Sequence, residues 1–209
     1  MELFQFILSR REMIQELAIE HFYLVLLAGA ISILIGVILG VAITYNRVAA
    51  RIVLGVCQVL MVIPSFAMLG FLLPFFGIGF RTGVVALILY CLLPVTQNTY
   101  IGILEIPPSV LESAKGMGMS PFTILWKIKI PLALPVIIAG FRTAMIMIVG
   151  IAAIAAFIGA GGLGEMIFQG ISRSQANRIL TGAIFIAMIA LLLDVLMSRL
   201  EEYLMARVR

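Results

Sequence analysis

The chain has 209 residues, 63% of them hydrophobic and 11% charged, with a mean hydropathy of +1.21. A soluble domain carries roughly 25% charged residues, so this composition excludes one and predicts a polytopic, all-α membrane protein. The net charge of +4 fits basic loops held at membrane lipid and gives no reason to expect nucleic acid as a partner.

Residues 1–20 mix both charge signs (Glu2, Arg10, Arg11, Glu12, Glu16, Glu20) and lack the basic start, apolar middle and cleavage site of a signal peptide. They are expected to form an amphipathic lead-in to a membrane domain over 21–209. About twenty apolar residues cross a bilayer as a helix, which predicts five spans at about 21–45, 52–80, 82–104, 132–157 and 179–197. On the first, Ala28, Ser32, Gly36 and Gly40 recur every four residues and form a small-residue ridge suited to close packing within the bundle. His21, at its head beside Glu20, reads as an interface anchor. The second span holds Pro64 and Pro74, so part of it is expected to be broken or re-entrant. Cys57 and Cys91 fall inside apolar runs and are expected to be small buried hydrophobes.

Charged and polar residues inside spans are the first candidates for function. Arg142 on the fourth span has two options: it snorkels to the headgroups, or it faces inward and pairs with Asp194 on the fifth. Gln97, Asn98 and Thr99 follow Pro94 on the third span and either line a pathway or bond neighbouring helices.

Lys and Arg accumulate on the cytoplasmic side of membrane helices. With alternating loops, one side receives Arg47, Arg51, Lys115, Lys127, Lys129, Arg199, Arg207 and Arg209. The other receives Arg10, Arg11, Arg81, Arg173 and Arg178. This asymmetry predicts an N-terminus outside and a C-terminus in the cytoplasm, with the loop 107–131 on the cytoplasmic face.

That loop is polar, basic and broken by glycine. Pro107 and Pro108 end the third span, and Ser109 with Glu112 has capping-box spacing. A helix from about Pro108 to Lys115 is expected, stopped by Gly116 and Gly118. Ser120–Pro121 is a second start signal, for a helix carrying Phe122, Leu125 and Trp126 on one side until Pro131. Physics alone allows this pair to lie on headgroups or to dock on a protein.

The residues of this loop also carry a resemblance. Glu112, Ser113 and Ala114, then Gly118 four residues on, then Ile128, Lys129, Ile130 and Pro131, resemble the E-A-A…G…I-x-L-P loop of ABC importer permeases. Ser113 replaces the middle alanine and Ile130 the leucine. The stretches IPSFAMLGFLLPFFGIG (63–79), LPVTQNTYIGI (93–103) and AGFRTAMIMIVGIAAIAAFIGAGGLG (139–164) are similar to permeases importing glycine betaine, carnitine, choline and proline. Methionine permeases share the compact plan and the GAGGLG-like stretch.

The resemblance implies the five-span core of a type I ABC importer permease in a bacterial or archaeal cell membrane, importing an osmoprotectant quaternary amine; a small amino acid such as methionine is the alternative. It implies that the loop is a coupling helix, with Glu112, Ser113, Ala114, Gly118, Ile128 and Pro131 as its signature. The implied partners are a cytoplasmic ATPase dimer, a second permease copy or paralogue, and an extracytoplasmic binding protein docking near residues 159–178.

The chain has no phosphate-binding G-x-x-x-x-G-K-[ST] motif, so ATP and Mg are expected on the partner ATPase and no cofactor on this chain. An intramembrane enzyme is the remote alternative, since one Asp, one His and no metal-type cluster in the spans give little for catalysis.

Overall fold

The computed structural model describes residues 2–208 and consists of helices joined by short turns. A short helix α1 (Glu2–Ser9) meets the long α2 (Arg11–Ile43) at Arg10. Most of the lead-in is therefore helical, and α2 begins ten residues before the apolar run of the first span.

Asn46 caps α3 (Arg47–Val62), accepting from the amides of Val48 at 2.8 Å and Ala49 at 3.2 Å. α3 stops at Ile63–Pro64, and α4 (Ser65–Phe76) departs at 105°. The proline disfavours helix for the residue before it, and Ile63 lies at ψ 127. The carbonyl freed at this break accepts the Tyr90 hydroxyl at 2.5 Å from α5, which is how a break is tolerated in lipid. The predicted second span is thus a broken pair.

Gly77 and Gly79, both at positive φ, turn the chain into α5 (Phe80–Leu104). After the loop helix α6 (Pro108–Gly116), α7 (Pro121–Ile124) runs through a five-residue π segment, 125–129, into α8 (Ile130–Ala155) and a 3₁₀ turn to Ile158. The chain closes with α9 (Gly164–Ser172) and α10 (Ala176–Val208). Four helices among the described residues are long and apolar enough to cross a membrane, and the bent α3–α4 pair makes a fifth if taken as one span.

α5 is the centre of the bundle, packed between α2 and α8, with α10 against the far side of α8 and α9 against α10. The small-residue ridge is what lets α2 approach. Ala28 and Ser32 are fully buried, and a Cβ at Gly36 would lie 2.6 Å from Val95 Cγ1. Gly36→Ala should therefore lower stability by about 1–3 kcal/mol, the usual range for overpacking, read as a drop in melting temperature of the solubilised protein.

His21 is not an interface anchor. It is fully buried, its Nε2 lies 3.1 Å from the Val149 carbonyl of α8, and Gly162 packs against it so closely that a Cβ there would lie 3.0 Å from His21 Cβ. Glu20 accepts the Gly162 amide at 3.0 Å. Gly159, Gly161 and Gly162 all adopt positive φ, so the glycine-rich stretch forms a tight turn between the end of α8 and α9. Cys57 and Cys91 are buried free thiols.

Candidate functional site

The loop between α5 and α8 builds a compact knob. α6 begins at Pro107–Pro108, with Ser109 already inside its first turn. The capping box expected of Ser109 and Glu112 does not form: the N-cap is Pro107, which has no side chain to cap with. The Ser113 hydroxyl instead bonds back to the Ser109 carbonyl at 2.8 Å.

The other end of α6 follows its glycine. Gly118 lies at φ 75, its amide donates to the Lys115 carbonyl at 2.9 Å, and the Met119 amide reaches the Ala114 carbonyl at 3.2 Å. These two bonds are a Schellman closure, which needs a left-handed residue at this point. Gly116 stays inside the helix, so Gly118 is the stop. Ala114 is fully buried and turns α6 toward the bundle, while Glu112, Ser113 and Gly118 face outward.

Ser120 then caps the next helix, accepting the Thr123 amide at 3.2 Å. The helix does not end at Pro131. The missing proline amide is absorbed by the π segment, in which the Ile130 amide bonds the Leu125 carbonyl. Pro131, exposed, sits in the first turn of α8, and Ile128 is half-buried. The expected second short helix is thus the N-terminal end of the fourth span. Phe122, Trp126 and Met117 stand exposed on the knob, with the two rings 6.2 Å apart. Lys129 lies over the Tyr45 ring at 5.4 Å, a cation–π contact that ties the knob to the end of α2.

Within the bundle, Arg142 of α8 pairs with Asp194 of α10, Nε and Nη2 both 2.7 Å from Oδ1. Its Nη1 also reaches Glu201 Oε2 at 3.2 Å. Asp194 and Glu201 are seven residues apart, so two helical turns bring them to one face. The Arg142–Asp194 pairing is the inward option; Glu201 lies beyond the apolar run, and only its seven-residue spacing from Asp194 marks it in the sequence. The pair is half-buried, with side-chain exposures of 31% and 36%.

Asn98 and Thr99 turn their hydrogen bonds onto their own helix, to the Pro94 and Val95 carbonyls, each at 2.8 Å. Thr99 is fully buried, and a Cβ at Gly140 would meet Asn98 Cβ at 2.5 Å. Both residues sit at helix contacts, Thr99 toward α2 and Asn98 toward α8. Gln97 is the exposed member of the cluster. Among the described residues no group of three His, Cys, Asp or Glu is placed to hold a metal ion.

A helical bundle of this plan, with a compact knob between its third and fourth spans, is a multi-pass membrane fold. It superposes on a chain of the inward-facing MetNI methionine ABC transporter with a TM-score of 0.86, at 23% identity, covering 94% of this chain and 98% of that one. The family model for the binding-protein-dependent transport system inner membrane component matches residues 32–209. The chain is 41% identical to the osmoprotectant import permease protein OsmW of Salmonella typhimurium, over 98% of this chain and 97% of that protein. It is 40% identical to the glycine betaine/carnitine/choline transport system permease protein OpuCB of Bacillus subtilis, over 88% and 84%. The chain belongs to the binding-protein-dependent inner membrane component family and is a transmembrane permease subunit of an ABC importer.

Proposed function

We propose that this permease carries osmoprotectant quaternary amines such as glycine betaine, carnitine or choline, as the names of its relatives at about 40% identity suggest. The methionine alternative has only a shared fold in its favour, at 23% identity. The N-terminus lies outside and the C-terminus in the cytoplasm, an orientation supported by the Lys/Arg asymmetry. The α6 knob, with Glu112, Ser113, Ala114 and Gly118, docks on a cytoplasmic ATPase dimer that binds ATP and Mg. A second permease copy or paralogue completes the pathway, and an extracytoplasmic binding protein delivers the solute.

One observation carries the coupling reading. From the Ser120 cap to Ile158 the helical chain is unbroken, so the exposed Phe122–Trp126 face and the ion-paired Arg142 ride on one lever. A push on the knob then reaches the span that holds α10 and, beyond it, the glycine turn over His21. Arg142, Asp194, Asn98 and Thr99 serve this movement through helix contacts rather than by selecting the solute, because the guanidinium repels a quaternary ammonium, the Asp194 carboxylate is already paired with it, and an amide offers no aromatic face. Selectivity then belongs to the binding protein. Replacing that protein by a homologue of different preference should change which solute is imported, whereas Asn98→Ala should lower the rate for all solutes alike. A change in solute ranking in Asn98→Ala would place a selective site in the membrane chain.

Orientation has its own test. In a chain with Cys57 and Cys91 replaced by alanine, cysteines at Ser120 and Ser172, both exposed, should react with an impermeant maleimide from opposite sides. Labelling of Ser120→Cys from outside would refute cytoplasmic docking.

A further inference from the structure

The end of the bundle away from the knob holds a feature that coupling does not use. Arg10 joins α1 to α2, Arg173 ends α9, and Arg178 lies in the first turn of α10. The three line one pocket of about 430 Å³ together with Phe6, Gln175 and Asn177. Among the described residues no carboxylate comes within 4.0 Å of these three.

Arg178 is the informative member. It is only 7% exposed, its Nε has no hydrogen-bond partner among the described residues, and its Nη2 meets only the Met13 sulfur, at 3.9 Å. A guanidinium buried without an anion is costly, and two more arginines beside it add repulsion. The pocket also lies at the N-terminus of the 33-residue α10, where the helix dipole favours negative charge. Arg10 and Arg173 sit at the C-terminal ends of α1 and α9, where the dipole favours cations, so the call for an oxyanion comes from the buried Arg178 and the N-terminus of α10.

The surroundings say which kind. Four and eight residues after Ala176, the first residue of α10, Leu180 and Ile184 are 49% and 41% exposed. On α1, Phe4 and Leu8 are exposed close to Arg10 in sequence, while Phe6 and Ile7 pack inward. The arginines thus sit where polar surface meets apolar surface, an arrangement that suits a phosphate attached to acyl chains and gives a free phosphate no advantage. We propose that this pocket binds the phosphate group of an anionic phospholipid at the membrane surface. Assigning it to the outer leaflet rests on the orientation proposed above; the binding itself does not. The site also accounts for three of the five arginines on the less basic side, which serve here as ligands.

The purified full-length chain, in nanodiscs containing phosphatidylglycerol and phosphatidylcholine, tests this by native mass spectrometry of retained lipid. Wild type should retain phosphatidylglycerol with a preference on the order of tenfold. Arg178→Gln should abolish the preference, as should Arg10→Gln/Arg173→Gln, whose two exposed positions spare the core. Arg47→Gln/Arg51→Gln, which removes equal charge at the other end, should keep it. The proposal is overturned if Arg10→Gln/Arg173→Gln keeps the preference, or if the control loses it equally. Displacement of phosphatidylglycerol by inorganic phosphate at equal concentration would make the ligand a soluble anion. Intact lipid preference with weakened binding-protein docking in Arg10→Gln/Arg173→Gln would assign the pocket to an acidic protein surface. Either result would also overturn it.

Discussion

Gly118→Val should leave the chain inserted in the membrane and cut ATP-driven uptake roughly tenfold or more, since a left-handed conformation costs a side-chain-bearing residue about 1–2 kcal/mol and a β-branched one more. Nothing lies within 4 Å of where a Cβ would stand at Gly118, so the effect is purely one of backbone conformation. At φ 75 a valine would pull the turn toward ordinary helix or strand geometry, and the Met119-to-Ala114 closure would open. The knob would lose its shape while the spans kept theirs. Gly118→Asn should restore much of the activity, because asparagine enters the left-handed region more readily. Co-purification of the ATPase subunit should follow the same order, and charge reversal at the exposed Glu112 should weaken it while solute capture by the binding protein survives. Equal transport in Gly118→Val and wild type would mean that the α6 turn transmits nothing.

Arg142→Gln should lower the yield of folded protein and its melting temperature more than any other single change at the α8–α10 contact. It strips the cation from between Asp194 and Glu201, each of which reaches it within 3.2 Å, and leaves two partly buried carboxylates facing one another with no cation between them. Asp194→Asn should be milder, since Arg142 keeps Glu201. The triple change Arg142→Gln/Asp194→Asn/Glu201→Gln should recover most of the stability, because it removes the unpaired charge along with the pair. Thermal unfolding of the four proteins in one detergent reads this directly. A triple variant no better than Arg142→Gln would show that the arginine acts through packing of its stem.

The parts of this molecule that local chemistry dictates could be read from its residues. Pro64 broke the second span, Gly118 stopped α6, Ser120 started the next helix, and the ridge from Ala28 to Gly40 met α5. Each of these depends on the conformational limits of one residue or on a simple period. The misreadings arose where tertiary structure overrode a local signal. Ser109 and Glu112 had capping-box spacing, but the helix already began at Pro108. Pro131 is a stop signal by itself, yet a π turn lets the helix pass. His21 lay at the head of an apolar run, and only the packing of α8 and the glycine turn onto it made it core.

Long-range partners were harder still. Asp194 could be matched to Arg142 because both were isolated charges in apolar runs, whereas Glu201 lay among the charges at the end of α10 and carried no such mark. The arginine pocket joins residues 10, 173 and 178, and sequence alone entered them only as charges on one side of a membrane. Nothing in their spacing brings residue 10 to residues 173 and 178.

ATP-dependent uptake in proteoliposomes bears most directly on the central claim. The chain is reconstituted with its ATPase and binding protein, and labelled glycine betaine is followed into the lumen. Accumulation should require ATP on the side of the knob and the binding protein on the other, and should collapse in Gly118→Val but not in Gly118→Asn. Uptake that proceeds without ATP, or that is equal in both variants, would contradict a permease driven through the α6 knob.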